Sequence, residues 1–453
     1  MTKPPSSAPN AGLVAGSADR ASSLKAVPVT SVVLVTASEL EPRSFGKQVV
    51  LGGLLDHLCD RLGPDRVHVV LVGRLGVERP PTRYQVTVLD KPSAAEQIRS
   101  AATRVFMPPF SSLQEAALWS PRLRSELSQL LSDIGADLEI WDTMRMGQYA
   151  RSLPRRRRVL YADDLFSRRY ASMLERIRTD RTRLENPLGE FGRMLPGRAR
   201  RVANHPWGYT PLLRLERRRT ARSEDRAPAD FDGTALVSAA ETDELVRRTG
   251  STTVATLLPL IRVSASRPRR FDGTSTFVFL GGLDFPPNRD GLTWFLGHAK
   301  DEVLKAVPDF RLLVVGRGSD TAMPAEADSW GNRVQALGWV DDLDGVLSSS
   351  AGLLSPLRIG SGTKIKVLEA LARSLPVVAT PHGVLGLNVG VGEGCLVASD
   401  VSGLATQLAV CVDPDRNAVL SAAAGRAWVT RFSPTVASRA YDELLGLPEP
   451  ARP

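Results

Sequence analysis

Apolar and polar residues alternate along the first half of the chain in two patterns, one typical of strands and one of helices. Short runs rich in β-branched residues predict strands that are buried on both faces of a parallel sheet. These runs are 31–36, 67–72, 85–89, 138–141, 158–162, 234–237 and 253–257. Apolar residues at helical spacing predict helices over 49–62 and 115–134. This alternation predicts right-handed crossovers and a doubly wound α/β sheet.

A second and cleaner alternation follows in the other half. The predicted strands are 277–280, 311–315, 334–337, 352–355, 395–398 and one that opens at Val377. The predicted helices are 292–307, 341–350, 401–412, 416–432 and 436–445. Two parallel-sheet units with a cleft between them bind ligands at the carboxyl ends of their strands.

We therefore predict two Rossmann-like doubly wound domains that face a central cleft. The N-terminal domain covers residues 29–258 and the C-terminal domain covers 271–432, with a polar and basic linker at 259–270. Residues 1–28 are predicted to be a disordered tail, and 433–453 a C-terminal helix and tail.

The stretch 357–380 is the most informative part of the chain. Small residues at 360–363 form a loop that can approach a ligand closely. The pattern predicts a helix from Thr363, with its hydroxyl as the N-cap, and Pro376 prevents any continuation. Lys364 and Lys366 in the first turn oppose the helix dipole, which favours anions there. We interpret them as phosphate ligands, and two solvated surface lysines are the alternative.

Positive charge is concentrated in one part of the chain. The 453 residues carry a net charge of +9. Much of the excess lies in a basic segment, 151–222, with arginine runs at 155–158, 198–201 and 217–219. We predict that its part from 165 to 222 is mostly helical and lies on the outside, and that the whole segment contacts an anionic membrane or carrier phosphate. Nucleic acid is a less favoured partner because no recognition motif accompanies the charge. A solvated arginine-rich surface without a specific partner is the alternative.

The remaining composition points to the cytoplasm. No apolar run reaches the roughly 18 residues of a spanning helix, and the N-terminus lacks the apolar centre of a signal peptide. The three cysteines, Cys59, Cys395 and Cys411, lie far apart without metal-binding spacing. This usage favours a reducing compartment and no disulfide framework.

Motifs in the second half resemble the retaining glycosyltransferases of family 4, which have the GT-B fold. The matching pieces are GGLDFPPNRDGLTWF, PDFRLLVVGRG, ALGWVDDLDGVLSSSAGLLSPLRIGSGTKIKVLEALARSLPVVATPHGVLGL and EGCLVASD. In the first half, YADDLFSRRYASM is similar to a segment of polysaccharide-cluster sugar transferases. The resemblance implies a nucleotide-sugar co-substrate and no separate cofactor, transfer with retention, and no required metal.

The resemblance also implies roles for residues of the C-terminal domain. The family carries two glutamates eight residues apart; the second is Glu369, a ribose ligand, but the first falls on Ser361. The family's basic pair falls on Gly282 and Asn288, both uncharged. Phosphate charge is then expected to be met by the two lysines and loop amides, with Arg289 and Arg317 as alternatives. The implied donor-binding residues are Gly281, Gly282, Gly316, Arg317, Trp339, Val340, Ser361, Gly362, Thr363, Lys364, Lys366 and Glu369.

Purely structural roles remain open for several of these donor residues. Gly281 and Gly282 could form a tight turn without binding a ligand. Glu369 could be a surface glutamate that pairs with Lys366. Trp339 could serve packing alone instead of framing the base together with Val340.

On the acceptor side, the resemblance implies a loop after the first strand with Gly46 and Lys47. Asp142 follows a strand near the expected position of the reacting carbon, and we predict catalytic roles for Asp142, Lys364 and Glu369. Asp164 is a candidate acceptor ligand, although an acidic pair with Asp163 that caps the next helix is an open alternative. No histidine has partner spacing, so none is assigned a catalytic role.

These observations predict a cytoplasmic glycosyltransferase that moves a sugar onto a saccharide or lipid-linked acceptor. Peripheral contact with the inner face of the membrane is compatible with this prediction. Two alternatives come from other classes. One is a non-catalytic GT-B protein that binds nucleotide-sugar or serves as a scaffold. The other is a basic nucleic-acid-binding protein.

Overall fold

The fold is described from a computed structural model that covers residues 28–41, 46–73, 82–107, 111–180, 205–263, 269 and 271–448. Nearly all of the predicted tail 1–28, the arginines at 198–201, half of the linker 259–270 and the last five residues lie outside the described residues. Among the described residues, no helix combines the length and the apolar character needed to cross a bilayer.

The N-terminal domain contains seven parallel strands in the order β3-β2-β1-β4-β5-β6-β7. Every residue of the central strand β1 is buried, as the β-branched sequence VVLVT predicts for a strand covered on both faces. The strands are β1 Val32–Thr36, β2 Val67–Val72, β3 Gln85–Leu89, β4 Leu138–Asp142, β5 Arg158–Asp163, β6 Gly233–Leu236 and β7 Val254–Thr256.

Eight helices surround this sheet within the described residues. They are α1 Gly46–Leu62, α2 Ala94–Phe106, α3 Leu113–Ala117, α4 Pro121–Ile134, α5 Thr143–Ala150, α6 Phe166–Asp180, α7 Pro206–Asp230 and α8 Ala239–Thr249. The single helix predicted over 115–134 is wrong, because Ser120 caps a new helix that starts at Pro121. The helix α2 was missed, although Ser93 and Glu96 form a capping box at its start.

The C-terminal domain repeats the architecture with six parallel strands in the order β10-β9-β8-β11-β12-β13. The strands are β8 Thr276–Leu280, β9 Arg311–Val315, β10 Val334–Gly338, β11 Gly352–Ser355, β12 Val377–Ala379 and β13 Cys395–Val397. The helices are α9 Pro286–His298, α10 Lys300–Ala306, α11 Leu343–Ser348, α12 Ile365–Ala372, α13 Val401–Val412, α14 Pro414–Ala427 and α15 Pro434–Leu445. Two predicted helices differ, because 292–307 is interrupted at Ala299 and 416–432 ends in a π turn, Trp428–Phe432.

The last helix, α15, packs on the N-terminal domain and not on the domain that precedes it. Its Tyr441 and Leu444 belong to the same core as Val32 and Leu54. Asp442 accepts hydrogen bonds from His57, at 2.8 Å, and from Arg61, at 2.6 Å, on α1. The predicted segment 433–453 therefore contains a helix that completes the N-terminal core.

The linker and the basic segment are more buried than the sequence predicts. Leu260 packs in the N-terminal core and Ile261 in the C-terminal core, so the start of the linker joins the two cores. Helices α6 and α7 pack together through Tyr170 and Tyr209. Arg176 of α6 is buried in an ion pair with Asp290 of α9, at 2.8 Å. The prediction that the basic segment lies wholly on the outside is therefore wrong.

Candidate functional site

Loops at the carboxyl ends of both sheets meet in the cleft between the domains. The Gly362 amide donates a hydrogen bond to Glu241 of α8, at 3.2 Å, and the Thr363 hydroxyl donates to the carbonyl of Val237, at 2.6 Å. Gly46, at the start of α1, lies so close to α12 that a Cβ there would be 3.4 Å from Ile365. The N-terminal and C-terminal candidate residues therefore belong to one site.

The helix α12 starts two residues later than the sequence predicts. It begins at Ile365, and its N-cap position is Lys364, without a side-chain capping bond. The predicted N-cap role of Thr363 is wrong because its hydroxyl is used across the cleft. Gly360 and Gly362 have positive φ angles, 124° and 67°, which favour glycine at these turns.

Lys364 is buried, with 8% of its surface exposed, and its ammonium group turns back onto the loop. It donates to the carbonyls of Ser361, at 2.7 Å, and Gly362, at 3.2 Å. Burial lowers the pKa of Lys364 to about 8. The alternative of a solvated surface lysine is wrong for this residue.

Lys366 points at the glycine loop that follows β8. Its Nζ donates to Asn288 Oδ1, at 2.8 Å, and lies 4.5 Å from the ring centre of Phe279. A Cβ on Gly281 would be 2.9 Å from the same nitrogen, so only glycine leaves room there. Burial, and then the charge of Lys364, lower the pKa of Lys366 to about 7. The chain thus brings an ammonium group to Asn288, one of the two positions where the family pattern has a basic residue and this chain has none.

Three glycine turns pack against one another beside this lysine. The Gly316 amide donates to the carbonyl of Gly338, at 2.8 Å, and a Cβ on Gly316 would be 2.6 Å from the backbone of Gly281. A buried serine that the sequence analysis missed, Ser319, donates to the Val314 carbonyl and accepts from the Gly338 amide, at 2.9 Å. The backbone is therefore closely packed at the position where the resemblance implies that the phosphates and the base of the donor bind.

The remaining donor-side candidates surround these turns. Trp339 is 60% exposed, so packing alone does not account for it, whereas Val340 packs against a core cluster of the C-terminal domain. The Gly282 loop is tied to β9 by a bond from the Leu283 amide to the Arg317 carbonyl, at 2.9 Å. These positions leave an exposed aromatic face beside the glycine turns.

Glu369 lies on the second turn of α12 and forms an ion pair with Arg373, four residues along the helix. Arg373 also contacts Asp344 of α11. The alternative that Glu369 pairs with Lys366 is therefore wrong. Its carboxylate is held in place from the C-terminal side.

Asp142 is buried at the end of β4 and is surrounded by donors. It pairs with Lys47, at 2.6 Å, and accepts a hydrogen bond from the Thr36 hydroxyl, at 2.7 Å. Lys47 also pairs with Asp163, at 3.1 Å, whose φ of 71° coincides with a register shift in β5. Burial alone would lower the pKa of Lys47, but the two carboxylates raise it. Gly46 and Lys47 belong to the first turn of α1 and not to a loop.

Asp164 reaches across the cleft to the loop of the C-terminal domain. Its Oδ2 accepts hydrogen bonds from the Ser361 hydroxyl and from Arg169 Nη2, the latter at 2.7 Å. Arg169 Nε also donates to the Ser361 hydroxyl, at 3.2 Å. Burial would raise the pKa of Asp164, but Arg169 and Ser361 lower it. Asp163 and Asp164 are thus engaged by Lys47, Arg169 and Ser361, instead of capping α6.

Two functional candidates in this cluster were missed from the sequence. Arg169 lies within the quoted segment YADDLFSRRYASM, so its position was visible but its partner was not. Glu241 had no sequence signal. Burial, and then the charge of Asp164, raise the pKa of Glu241 to about 7. Among the described residues, no group of three or more His, Cys, Asp or Glu side chains is placed to hold a metal ion.

The C-terminal part of this site lies in a segment that is similar to a known family. Residues 274–413 match the family described as "Glycosyl transferases group 1". A phosphatidyl-myo-inositol mannosyltransferase of Mycobacterium leprae is 32% identical over 161 residues, which are 35% of this chain and 42% of that protein. An uncharacterized 44.6 kDa protein in the cps region of Klebsiella pneumoniae is 29% identical over 129 residues, 27% of this chain and 33% of that protein. The chain thus spans about a third to two fifths of these curated relatives.

Solved structures with the same architecture cover nearly the whole chain. Sucrose-phosphate synthase from Thermosynechococcus elongatus has a TM-score of 0.62 at 15% identity, covering 92% of this chain and 99% of its own. Anabaena Alr3699/HepE in complex with UDP has a TM-score of 0.60 at 14% identity, with the same two coverages. The two parallel sheets thus have the arrangement of GT-B glycosyltransferases, and residues 274–413 within that fold match the family of glycosyl transferases group 1.

Proposed function

We propose that this protein is a glycosyltransferase that takes a sugar from a nucleotide-sugar held by the C-terminal domain. The observation that carries the proposal is the position of Lys366. Its ammonium group lies at Asn288 beside the Gly281 turn, at the carboxyl ends of the strands of a group 1 domain. The structural neighbour from Anabaena was solved with UDP, which supports a nucleoside diphosphate as the leaving group.

The diphosphate would be bound between the glycine turns and the start of α12. Lys366 supplies positive charge, and Lys364 holds the loop by its bonds to two backbone carbonyls. Lys364 is buried and Lys366 is half-buried, and a cation that is shielded from water gains much from a bound anion. A site of this kind stabilises the charge that develops on a departing nucleoside diphosphate.

The nucleoside would extend from there toward α11. Glu369, oriented by Arg373, is the proposed ligand of the ribose hydroxyls, because a carboxylate accepts two hydrogen bonds from a cis diol. The exposed face of Trp339 and the backbone of Val340 would frame the base.

We propose that Asp164 supplies the carboxylate that the family pattern has at the position of Ser361 and that this chain lacks there. The Ser361 hydroxyl donates to Asp164, so the carboxylate reaches the loop from the opposite domain. Asp164 is only 6% exposed, and its Oδ1 has no hydrogen-bond partner in the described part of the chain. A donor-sugar hydroxyl would satisfy that oxygen, since buried acceptors are costly when left unpaired.

On the acceptor side, we propose that the sugar is transferred to a saccharide or lipid-linked acceptor with retention of configuration. Asp142 and Lys47 pair with each other. They would shape the acceptor side of the cleft by holding the start of α1 beside α12. A non-catalytic protein that only binds a nucleotide-sugar is the second candidate, because Asp142 is already satisfied by Lys47 and Thr36.

Membrane contact is proposed for a smaller surface than the whole basic segment. Arg214, Arg217 and Arg218 of α7 are exposed, and Trp207 near the start of the same helix is 65% exposed. Exposed arginines with a neighbouring tryptophan suit the headgroup region of an anionic membrane.

Replacing Lys366 or Lys364 by methionine is expected to weaken nucleoside diphosphate binding about tenfold or more. Each change keeps the buried stem and removes a charge that favours the anion. Calorimetric titration with UDP and GDP measures the effect. Lys305→Met, a change of an exposed lysine in the same domain, should leave affinity within about twofold. Equal affinity of wild type and Lys366→Met would refute the phosphate assignment.

Nucleoside diphosphate binding is expected to take up protons near pH 8. In the free protein the pKa of Lys366 is about 7 and that of Lys364 is about 8, so both side chains are partly neutral at pH 8. A bound anion favours the charged forms and raises both pKa values, so affinity should fall as pH rises from about 7 to 9. Titrations at pH 8 in buffers of different ionisation enthalpy count the protons. An uptake unchanged in Lys366→Met would contradict the assignment of that lysine.

Asp164→Asn is expected to lower donor turnover about 100-fold, because it removes a buried charged acceptor from the sugar. Release of nucleoside diphosphate from a panel of nucleotide-sugars, with and without saccharide acceptors, measures turnover. Affinity for free nucleoside diphosphate should stay within about twofold, which separates a sugar contact from a folding defect. Full turnover in Asp164→Asn would contradict this role. No turnover of any donor by wild type that binds the diphosphate would favour the non-catalytic candidate.

The wild-type protein is expected to float with vesicles that contain anionic lipid and not with neutral vesicles. The triple change of Arg214, Arg217 and Arg218 to glutamine should lower the partition coefficient on anionic vesicles about 100-fold, since each removes a contact worth about 1 kcal/mol. Flotation that is insensitive to lipid charge and to salt would rule out this surface.

A further inference from the structure

A polar cavity of about 220 Å³ lies in the N-terminal domain between α2, α5 and α7, apart from the candidate site. It shares no lining residue with the site at the carboxyl ends of the strands. Arginine is the commonest residue in its lining. We call it the arginine pocket, and its main lining residues are Arg104, Trp119, Gln148, Arg219, Arg222 and Arg226.

One face of α7 supplies half of these side chains. Arg219, Arg222 and Arg226 follow one another at intervals of three and four residues, which places them on the same side of a helix. Arg219 is anchored by bonds to the carbonyls of Val105 and Ser111. The face of α7 that these residues form is therefore directed toward α2 and the pocket.

Arg104 forms the opposite wall and is held by an aromatic stack. Its guanidinium carbon lies 4.0 Å from the ring centre of Trp119, which in turn stacks on Tyr149 at 4.9 Å. Its Nε is buried and has no hydrogen-bond partner among the described residues. Burial lowers the pKa of Arg104. A stacked guanidinium with an unused donor is preorganised for a planar or tetrahedral oxyanion.

The acidic groups near the pocket do not balance its arginines. Asp230 is taken by Arg151 at the rim, at 2.5 Å. One oxygen of Glu115 accepts three hydrogen bonds from neighbouring serines, the shortest at 2.8 Å. Within the described residues, Arg222 and Arg226 form no ion pair. The pocket therefore carries an excess of positive charge that suits an anion.

Gln148, at the floor of the pocket, presents an acceptor that needs a hydrogen-bond donor. Its amide nitrogen donates to the carbonyls of Glu115, at 2.7 Å, and Arg145, at 2.8 Å, which determines the orientation of the side chain. The amide oxygen is then left buried without a partner in the part of the chain that the structure describes. An acceptor in this state calls for a hydrogen-bond donor from a ligand.

We propose that the arginine pocket binds a small phosphate ester that carries a hydroxyl group. The phosphate oxygens accept from Arg104, Arg222 and Arg226, and the hydroxyl donates to Gln148 Oε1. The volume of the pocket equals that of about seven liquid waters, which is enough for such a molecule. The same chemistry is found in free phosphorylated polyols and in the headgroups of some phospholipids.

Calorimetric titration of the full chain with glycerol 3-phosphate, inorganic phosphate and glycerol tests this proposal. Glycerol 3-phosphate should bind saturably, inorganic phosphate more weakly and glycerol not at all. Arg222→Ala and Arg226→Ala should each weaken the ester about tenfold, as expected for a lost charge-assisted hydrogen bond. Gln148→Leu should remove the preference for the ester over inorganic phosphate.

Two control variants locate the binding. Arg217→Ala, on the opposite face of α7, should leave affinity for the ester within about twofold. Lys366→Met should also leave it unchanged, which separates this pocket from the donor site and keeps the result independent of the proposed activity. Binding that is lost in Lys366→Met but retained in Arg222→Ala would overturn the proposal, as would the absence of saturable binding to any phosphate probe. Binding only to phosphatidylglycerol vesicles, lost in Arg222→Ala, would support the same chemistry with a lipid as its source.

Discussion

The candidate site depends on two ammonium groups at the start of α12, of which Lys364 is buried and Lys366 is half-buried. Lys364 and Lys366 donate to backbone carbonyls and to the amide oxygen of Asn288, all of them neutral acceptors. A buried cation without a carboxylate partner is costly, and the lowered pKa values of both lysines express that cost. An anion bound at the glycine turns would offset this desolvation cost. The free energy recovered in this way would contribute to the affinity for the ligand. Gly281 and Gly316 allow the turns beside Lys366 to pack closely, since a side chain on either would collide with neighbouring protein atoms.

The geometry of the site also depends on how the two domains are held together. The 360–363 loop is bonded to the N-terminal domain through Ser361, Gly362 and Thr363. The helix α15 completes the N-terminal core after the chain has built the whole C-terminal domain. A movement between the domains would therefore break the contacts of Asp164 with the loop while leaving the lysine positions intact. This arrangement makes Asp164 and Glu241 sensitive to domain closure and makes Lys366 insensitive to it.

Most strands could be predicted because burial on both faces of a parallel sheet requires a continuous apolar run, as in β1 and β2. Helix boundaries were predicted less well where short-range capping competes with the apolar repeat. The break before Pro121 is an example, because Ser120 caps α4 within a pattern that continues through it. The glycine turns and the two lysines of the candidate site were also visible in the sequence, since each violates a local preference of the element that contains it.

The sequence by itself determined the two parallel-sheet units, the glycine turns and the presence of unusual cations at the start of α12, because backbone conformation and burial pattern act over a few residues. Only the tertiary structure decided which charges meet. Asp164 and Ser361 are 197 residues apart and Lys366 and Asn288 are 78 apart, so no periodicity connects them. The basic segment shows the same limit: among its described arginines, some form ion pairs, as Arg176 does with α9, some line a polar pocket and some are exposed, according to the direction each side chain takes. Composition reports the number of charges, whereas packing assigns each charge its partner.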